Sequence, residues 1–114
     1  MATYDNLPVY KASYDLLIQV FKMVREFSKE YKYTLWDSIK KELIALISNI
    51  YKANSKTEKL SNITSARESL EVLKLYFRLC KDLQIINIKT YAQLSLVTED
   101  ISKQLAWWQK SIKF

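Results

Sequence analysis

The stretch LEVLKLYFRLCKDL, residues 70–83, decides what kind of protein this chain forms. At about 100° per residue, a helix through this stretch carries apolar residues on two faces instead of one. The two sets are Leu70, Leu73, Phe77 and Cys80 on one face, and Val72, Leu75, Tyr76, Leu79 and Leu83 on the other. A surface helix needs only one apolar stripe to pack on a core. The second face therefore needs a partner of its own.

The spacing of the first face recurs along the whole chain and predicts an all-α fold. Helices are expected over about residues 8–28, 35–53, 60–83 and 88–112, and no segment alternates with period two. Four helices joined by short connections pack most simply as an up-down-up-down antiparallel four-helix bundle. At 114 residues the chain is long enough for one such domain, covering residues 1–114.

Three of the four predicted helices have a start signal. Pro8 suits the first turn of a helix, with Asn6 as its cap. Thr34 followed by Asp37 resembles a capping box for the second helix, and Asn87 caps the fourth. The segments KEYKY (residues 29–33) and NSKTEKLSN (residues 54–62) are interpreted as a turn and as the main loop.

The helical spacing also predicts which residues are buried. On the first helix these are Tyr10, Tyr14, Leu17, Phe21, Val24 and Ser28, with Ile18, Val20 and Phe27 widening the stripe. On the second and third they are Trp36, Ile39, Leu43, Leu46, Ile47, Ile50, Ile63, Ala66, Leu70, Leu73, Phe77 and Cys80. On the fourth they are Tyr91, Leu94, Thr98, Ile101, Leu105, Trp108 and Ile112. Cys80 is therefore expected to be an inert packing thiol.

The composition argues against an enzyme. The chain has no histidine, the commonest general base and metal ligand, and no glycine, which phosphate-cradling loops require. We therefore expect no catalytic residues, metal, cofactor or small-molecule substrate. The longest apolar run, Leu43–Ile47, is far too short for a membrane span, and the first residues lack the pattern of a secretory signal. With one cysteine, a reducing cytoplasmic setting is expected.

A positive strip separates the two apolar faces of the third predicted helix and is a candidate phosphate-binding surface. It consists of Arg67, Lys74, Arg78 and Lys81. Lys22, Arg25 and Lys29 at the first helix form a second candidate, interrupted by Glu26, and Lys40 with Lys41 a third. The net charge of +6 permits binding to a phosphate backbone of RNA or DNA. The alternative is a solvated strip partly paired with acids such as Glu71.

The second apolar face is interpreted as an oligomer interface. Its expected members are Val72, Leu75, Tyr76 and Leu79, with Leu96 and Trp107 from the last helix. The alternative is a wide core that reaches these residues, because a bundle helix touches two neighbours. Three aromatic residues, Tyr33, Trp36 and Trp107, are the least explained by a core, and exposed rings can stack unpaired bases.

Four segments resemble one known family over residues 7–108. They are YDLLIQVFKMVREFSKEYKYTL, KKELIALISNIYKAN, LEVLKLYFRLCKDLQIINIKTYAQL and EDISKQLAWWQK. The family contains the accessory variability determinant (Avd) of diversity-generating retroelements and the proteins encoded in 23S ribosomal RNA intervening sequences. Through LPVYKASYDLL and YKYTL the chain is more similar to the Avd branch.

The resemblance implies a homopentameric, barrel-like assembly of four-helix bundles. For the Avd branch it implies a basic accessory protein that binds nucleic acid and a reverse transcriptase and supports mutagenic complementary-DNA synthesis. The chain departs from the family's usual glycines at Trp36 and at Ala106-Trp107, where bulky side chains change how closely helices approach. Two alternatives stay open: an intervening-sequence-type protein associated with ribosomal RNA, and a purely structural self-assembly module.

Overall fold

A computed structural model of the protein describes residues 7–55 and 58–112. Its helices are α1 (Pro8–Val24), α2 (Lys29–Tyr33), α3 (Leu35–Ser55), α4 (Lys59–Asp82) and α5 (Ile88–Ile112). Within these residues all regular secondary structure is helical, so the predicted all-α fold is confirmed.

The four long helices pack in a ring in which α1 and α4 each lie between α3 and α5. Side-chain contacts between α4 and α5 give their relative direction. Along α4 the residues Arg67, Lys74 and Lys81 meet, in turn, Gln109, Glu99 and Tyr91 of α5. Because the numbers rise on one helix and fall on the other, the two helices run antiparallel. The described part of the chain extends over 45 × 23 × 21 Å.

The core face of α4 matches the spacing of the opening stretch. Leu70, Leu73 and Phe77 are at most 2% exposed, and Ile63 and Ala66 are fully buried on the same side. Cys80 lies at the end of this row. Its burial raises the pKa of the thiol to about 11, so that the side chain stays protonated at neutral pH. This confirms the predicted packing role for the cysteine.

On α1 the predicted buried face is wrong in part. Val20, Val24 and Phe27 are buried as predicted. The buried residues of this helix are Val9, Ser13, Leu16, Val20 and Val24. By contrast, Tyr14 and Phe21 are about half exposed, at 48% and 47%. Two apolar rows run along this helix, and spacing alone does not say which one faces inward. Packing against α3 and α5 selects the row that contains Leu16 and Val20.

The end of the first helix also differs from the prediction. Helix α1 ends at Val24 instead of continuing to residue 28, and the KEYKY segment forms α2 instead of a plain turn. The hydroxyl of Thr34 donates to the carbonyl of Glu30 at 3.1 Å, so that it closes α2. The predicted capping box is therefore wrong, because this hydroxyl is turned back toward the preceding helix.

Two other start signals behave as predicted. Pro8 is the first residue of α1, and Asn6 lies outside the described residues. The side chain of Asn87 accepts a hydrogen bond from the backbone amide of Thr90 at 2.7 Å, which caps α5. The predicted main loop is mostly helical, since α3 continues to Ser55 and α4 begins at residue 59.

The connection from α4 to α5 makes a left-handed turn without glycine. Gln84 has φ 61°, a conformation that glycine usually supplies. The amide of Ile85 donates to the carbonyl of Cys80 at 2.8 Å, and that of Gln84 to Lys81 at 2.9 Å. This is the Schellman pattern of a helix C-terminus. This turn ends α4 and reverses the chain, so that α5 packs antiparallel to α4.

Candidate nucleic-acid interface

The predicted positive strip lies along the contact between α4 and α5. Arg67 donates a hydrogen bond to the side-chain oxygen of Gln109, and the amide nitrogen Nε2 of Gln109 donates to the hydroxyl of Thr64 at 3.1 Å. Farther along α4, Lys74 and Lys81 reach Glu99 and Tyr91 of the same neighbour. The strip therefore faces a second helix of the same chain as well as solvent.

Lys74 is held between two carboxylates. Its Nζ lies 3.0 Å from Glu99 on α5 and 3.1 Å from Glu71 on its own helix. Desolvation by itself lowers the pKa of Lys74, but hydrogen bonds and Coulombic attraction from Glu99 and Glu71 outweigh it. The pKa is therefore raised above the ordinary 10.5. At neutral pH this lysine is charged, and two carboxylates already satisfy the charge.

The other two cations of the strip also have partners. Arg78 Nε lies 3.8 Å from the carboxylate of Asp82, which is 3.6 Å from Lys81. The ammonium of Lys81 also sits 4.6 Å from the ring centre of Tyr91, a cation–π contact. Three carboxylates thus lie within salt-bridge distance of three of the four cations. The strip presents much less positive charge than its sequence suggests.

The second predicted pair, Lys22 and Arg25, has a different setting. Both side chains are exposed, and no carboxylate among residues 7–55 and 58–112 lies within 4.0 Å of either. Lys22 lines an open cleft of about 480 Å³ between the end of α1 and the start of α5, together with Glu26 and Asn87. Their charge is therefore available to a partner.

These two residues belong to a larger basic region, which we call the basic end. It comprises the cations of residues 22–41, namely Lys22, Arg25, Lys29, Lys32, Lys40 and Lys41. Only three carboxylates share the segment, those of Glu26, Glu30 and Asp37. One pair, Lys40 with Asp37 at 3.7 Å, is the sole salt bridge among the described side chains of this segment. The basic end keeps a net positive charge.

One member of the basic end, Lys32, was missed by sequence reasoning, whereas Lys29 was predicted together with Lys22 and Arg25. The KEYKY segment has no apolar period and was interpreted as a turn, so the position of the Lys32 side chain was not considered. The structure places Lys29 and Lys32 on α2, where they line an open cleft with Lys40, Tyr33 and Trp36. The signal that would have found Lys32 is its spacing of three residues from Lys29.

The aromatic residues singled out from the sequence have three different settings. Tyr33 is 77% exposed at the end of α2 and lines the cleft with Lys29 and Lys32. Trp36 is partly buried and makes an edge-to-face contact with Phe21 of α1, with ring centres 4.9 Å apart. Trp107 is 75% exposed on α5. A core explains Trp36 but neither of the other two.

The predicted oligomer residues divide between two surfaces. On α4, Leu75 is 65% exposed and Leu79 is 40% exposed, whereas Val72 and Tyr76 are partly buried. Tyr76 packs against the core, which supports the wide-core alternative for this residue alone. The remaining two residues, Leu96 and Trp107, lie on a separate surface, on α5.

On α5, Leu96 is 74% exposed, and Trp107 lines an apolar groove with Leu7, Pro8 and Val9 at the start of α1. Trp107 therefore lies on the side of α5 toward α1, away from the α4 residues of the predicted interface. Sequence spacing grouped Leu96 and Trp107 with α4 because it does not report which neighbour each face meets.

A third exposed apolar surface was not predicted. It combines Tyr14, Ile18 and Phe21 of α1 with Ile44 and Tyr51 of α3, all between 40% and 51% exposed. Phe21 of this group contacts Trp36 of α3. The error about the inward face of α1 hid the α1 part of this surface, because Tyr14, Ile18 and Phe21 were assigned to the core.

No helix within the described residues is long and apolar enough to cross a membrane. The same residues hold no cluster of three or more side chains suited to a metal ion.

Comparison with known proteins identifies one relationship. The family model described as bAvd-like matches residues 9–112, which is nearly the whole chain. A comparison with curated protein sequences finds no match.

Proposed function

Because the chain belongs to the bAvd-like family, we propose that it is a non-enzymatic accessory subunit of a diversity-generating retroelement. In this role it binds RNA or DNA through its basic surface and binds the retroelement's reverse transcriptase, supporting mutagenic complementary-DNA synthesis in the cytoplasm. The observation that carries the proposal is the family match over residues 9–112.

The charge distribution supports nucleic-acid binding through the basic end in preference to the strip on α4. Binding to a phosphate backbone gains free energy when cations replace condensed counterions. A lysine already held by two carboxylates, such as Lys74, gains little from a further phosphate. Lys22, Arg25, Lys29 and Lys32 have no carboxylate within salt-bridge distance among the described residues. They can contact phosphates without giving up an existing ion pair.

The exposed apolar surfaces support assembly into a closed ring, for which the family suggests five copies. A cyclic ring uses heterologous contacts, in which one patch of each subunit meets a different patch of the next. The α4 surface with Leu75 and Leu79 and the α5 surface with Leu96 and Trp107 are two such separate patches. Substituting Leu75→Glu or Leu96→Glu is expected to lower the assembly state, as measured by light scattering after gel filtration.

The nucleic-acid part of the proposal is tested by fluorescence anisotropy with labelled RNA, DNA and hybrid duplex, titrated across salt. A log–log salt slope of several units that is shared among unrelated sequences indicates several phosphate contacts. Absence of binding at low salt would contradict this part and leave a self-assembly module.

The reverse-transcriptase part has its own test. The chain is coexpressed with the reverse transcriptase encoded beside its gene, and the complex is sought by affinity purification in high salt, where bridging by nucleic acid is weak. A stable complex is expected. A gene without a neighbouring reverse transcriptase would point instead to the intervening-sequence branch.

A further inference from the structure

The cleft beside α2 combines features that the phosphate contacts alone do not need. It has a volume of about 640 Å³ and is lined by Lys29, Lys32, Tyr33, Trp36, Asp37 and Lys40. Single-strand binding proteins combine a positively charged groove that follows the backbone with aromatic rings on which the bases stack.

Tyr33 is the residue that makes this cleft more than a charged groove. Its side chain is 77% exposed, and no described residue makes a ring or hydrogen-bond contact with it. An exposed tyrosine ring is a stacking surface for any base, because every base has a π-face. Nothing in the packing of α2 against α3 accounts for an aromatic side chain at this position.

Trp36 provides the wall of the cleft and fixes its geometry. Its edge-to-face contact with Phe21 holds the indole ring against α1, with an angle of 86° between the rings. Lys40 lies 6.0 Å from the centre of the same ring and 3.7 Å from the carboxylate of Asp37. The indole thus already has packing partners, whereas the Tyr33 ring makes no ring contact within the described residues.

The charges favour a polyanion with flat groups over an acidic peptide. Lys29 and Lys32 have no carboxylate partner within the described residues, and Asp37 is the one acid that lines the cleft. An acidic peptide would use the lysines but would leave the Tyr33 ring exposed. A single-stranded nucleic acid uses both, because its phosphates and its unpaired bases alternate along one chain.

We infer that this cleft is a binding site for single-stranded nucleic acid, in which an unpaired base stacks on Tyr33 while Lys29 and Lys32 contact the flanking phosphates. The inference rests on the proposed nucleic-acid function and adds to it a preference for unpaired over duplex substrates. Duplexes bind the basic end through phosphates alone, since their bases are stacked on each other.

The test compares variants at residue 33 on matched probes. Labelled single strands of about 12 nucleotides, within the footprint of one small binding domain, are compared with the duplex of the same sequence and with an abasic strand of equal length. Tyr33→Ala is expected to weaken single-strand binding by about 5- to 150-fold, the loss of one base–aromatic contact. Binding of the duplex and of the abasic strand is expected to stay within about twofold, since these probes use only the phosphate contacts.

Tyr33→Phe is the matched control, since it keeps the ring and removes only the hydroxyl. It is expected to bind the single strand as the original protein does, while Tyr33→Leu, apolar but not aromatic, is expected to bind as weakly as Tyr33→Ala. Because residue 33 is exposed, these variants are expected to fold, which circular dichroism checks.

The outcomes separate this inference from the function on which it rests. If the unaltered protein binds none of the three probes, the proposed nucleic-acid function fails, and the inference with it. If it binds the probes but Tyr33→Ala keeps its full affinity for the single strand, the stacking site alone is overturned. Displacement of the single strand by a polyglutamate peptide, with equal affinity in Tyr33→Ala, would show an acidic-protein site and would also overturn it.

Discussion

Two positively charged regions of this protein differ in what surrounds them. The strip on α4 is the more regular in sequence, yet carboxylates from α4 and α5 neutralise most of it. The basic end is irregular and interrupted by acids, yet most of its cations have no carboxylate partner among the described residues. The comparison teaches that the potential of a surface depends on which charges the fold brings together and not on the spacing of cations along one helix.

The largest effect is expected from neutralising the basic end. A variant with Lys22, Arg25, Lys29 and Lys32 changed to glutamine removes four phosphate contacts. The log–log salt slope of nucleic-acid binding should fall by about 3, at roughly 0.7–0.9 per contact. Anisotropy titrations across salt measure the slope.

The control for this variant removes the same charge elsewhere. Lys11, Lys52, Lys103 and Lys110 are exposed and have no carboxylate partner within the described residues. Changing these four to glutamine should leave most of the slope in place. An equal fall in both variants would mean that only net charge matters and that the basic end is not a site.

The next effect concerns the strip. Changing Glu71 and Glu99 to glutamine frees Lys74 from both of its partners. If these ion pairs keep Lys74 from contacting phosphates, the log–log salt slope of nucleic-acid binding should rise by about 1 in this variant. The matched control, Asp15→Asn with Glu68→Gln, adds the same charge at acids without an ion pair in the described residues. A rise only in the first variant supports the comparison, and an equal rise in both argues against it.

A smaller effect is expected on stability. The pKa of Lys74 is raised in the folded state, so its stabilising contribution is complete below pH 10.5 and is lost as the pH rises through the raised value. Lys74→Gln should lower the free energy of unfolding by about 0.2–1 kcal/mol at neutral pH. Urea denaturation at several pH values should show this difference shrinking above pH 10.5. Lys52→Gln, at an exposed lysine, should show no such trend.

The smallest effect concerns the turn that sets the register between α4 and α5. Gln84 adopts φ 61°, which costs a residue with a Cβ more than it costs glycine. Gln84→Gly should raise the free energy of unfolding by about 0.5 kcal/mol, since part of the gain is lost to the greater freedom of the unfolded chain. Thermal unfolding followed by circular dichroism measures this change in the free energy of unfolding. An unchanged salt dependence of nucleic-acid binding in this variant would show that the turn positions α5 against α4 and does not itself contact the nucleic acid.

Most of the fold could be predicted because helix formation and its apolar period are local properties. On α4 the spacing of Leu70, Leu73 and Phe77 identified the buried face correctly, since one apolar row was longer and more regular than the other. On α1 two rows of similar length competed, and the predicted face combined Tyr14 and Phe21, which are about half exposed, with Val20 and Val24, which are buried. Both helices carry a second apolar row, but only on α1 is it as regular as the first.

The candidate site was less predictable than the fold. Lys22, Arg25 and Lys29 were identified, because they follow one another at helical spacing at the end of the first predicted helix. Lys32 was not, because the short helix α2 has no apolar period of its own. The role of Tyr33 depends on Trp36 and Lys40, which a separate helix brings to the same cleft.

The sequence by itself determined the helical class, the burial of one face of α4 and the absence of histidine and glycine chemistry, because each of these depends on residue type or on neighbours within a few turns. Only the tertiary structure decided which cations are neutralised and which apolar surfaces stay exposed. Lys74 meets Glu99 across a helix–helix contact at 3.0 Å, and no local pattern encodes that register. Charge pairing acts over a few ångströms in space, and distance along the chain does not report it.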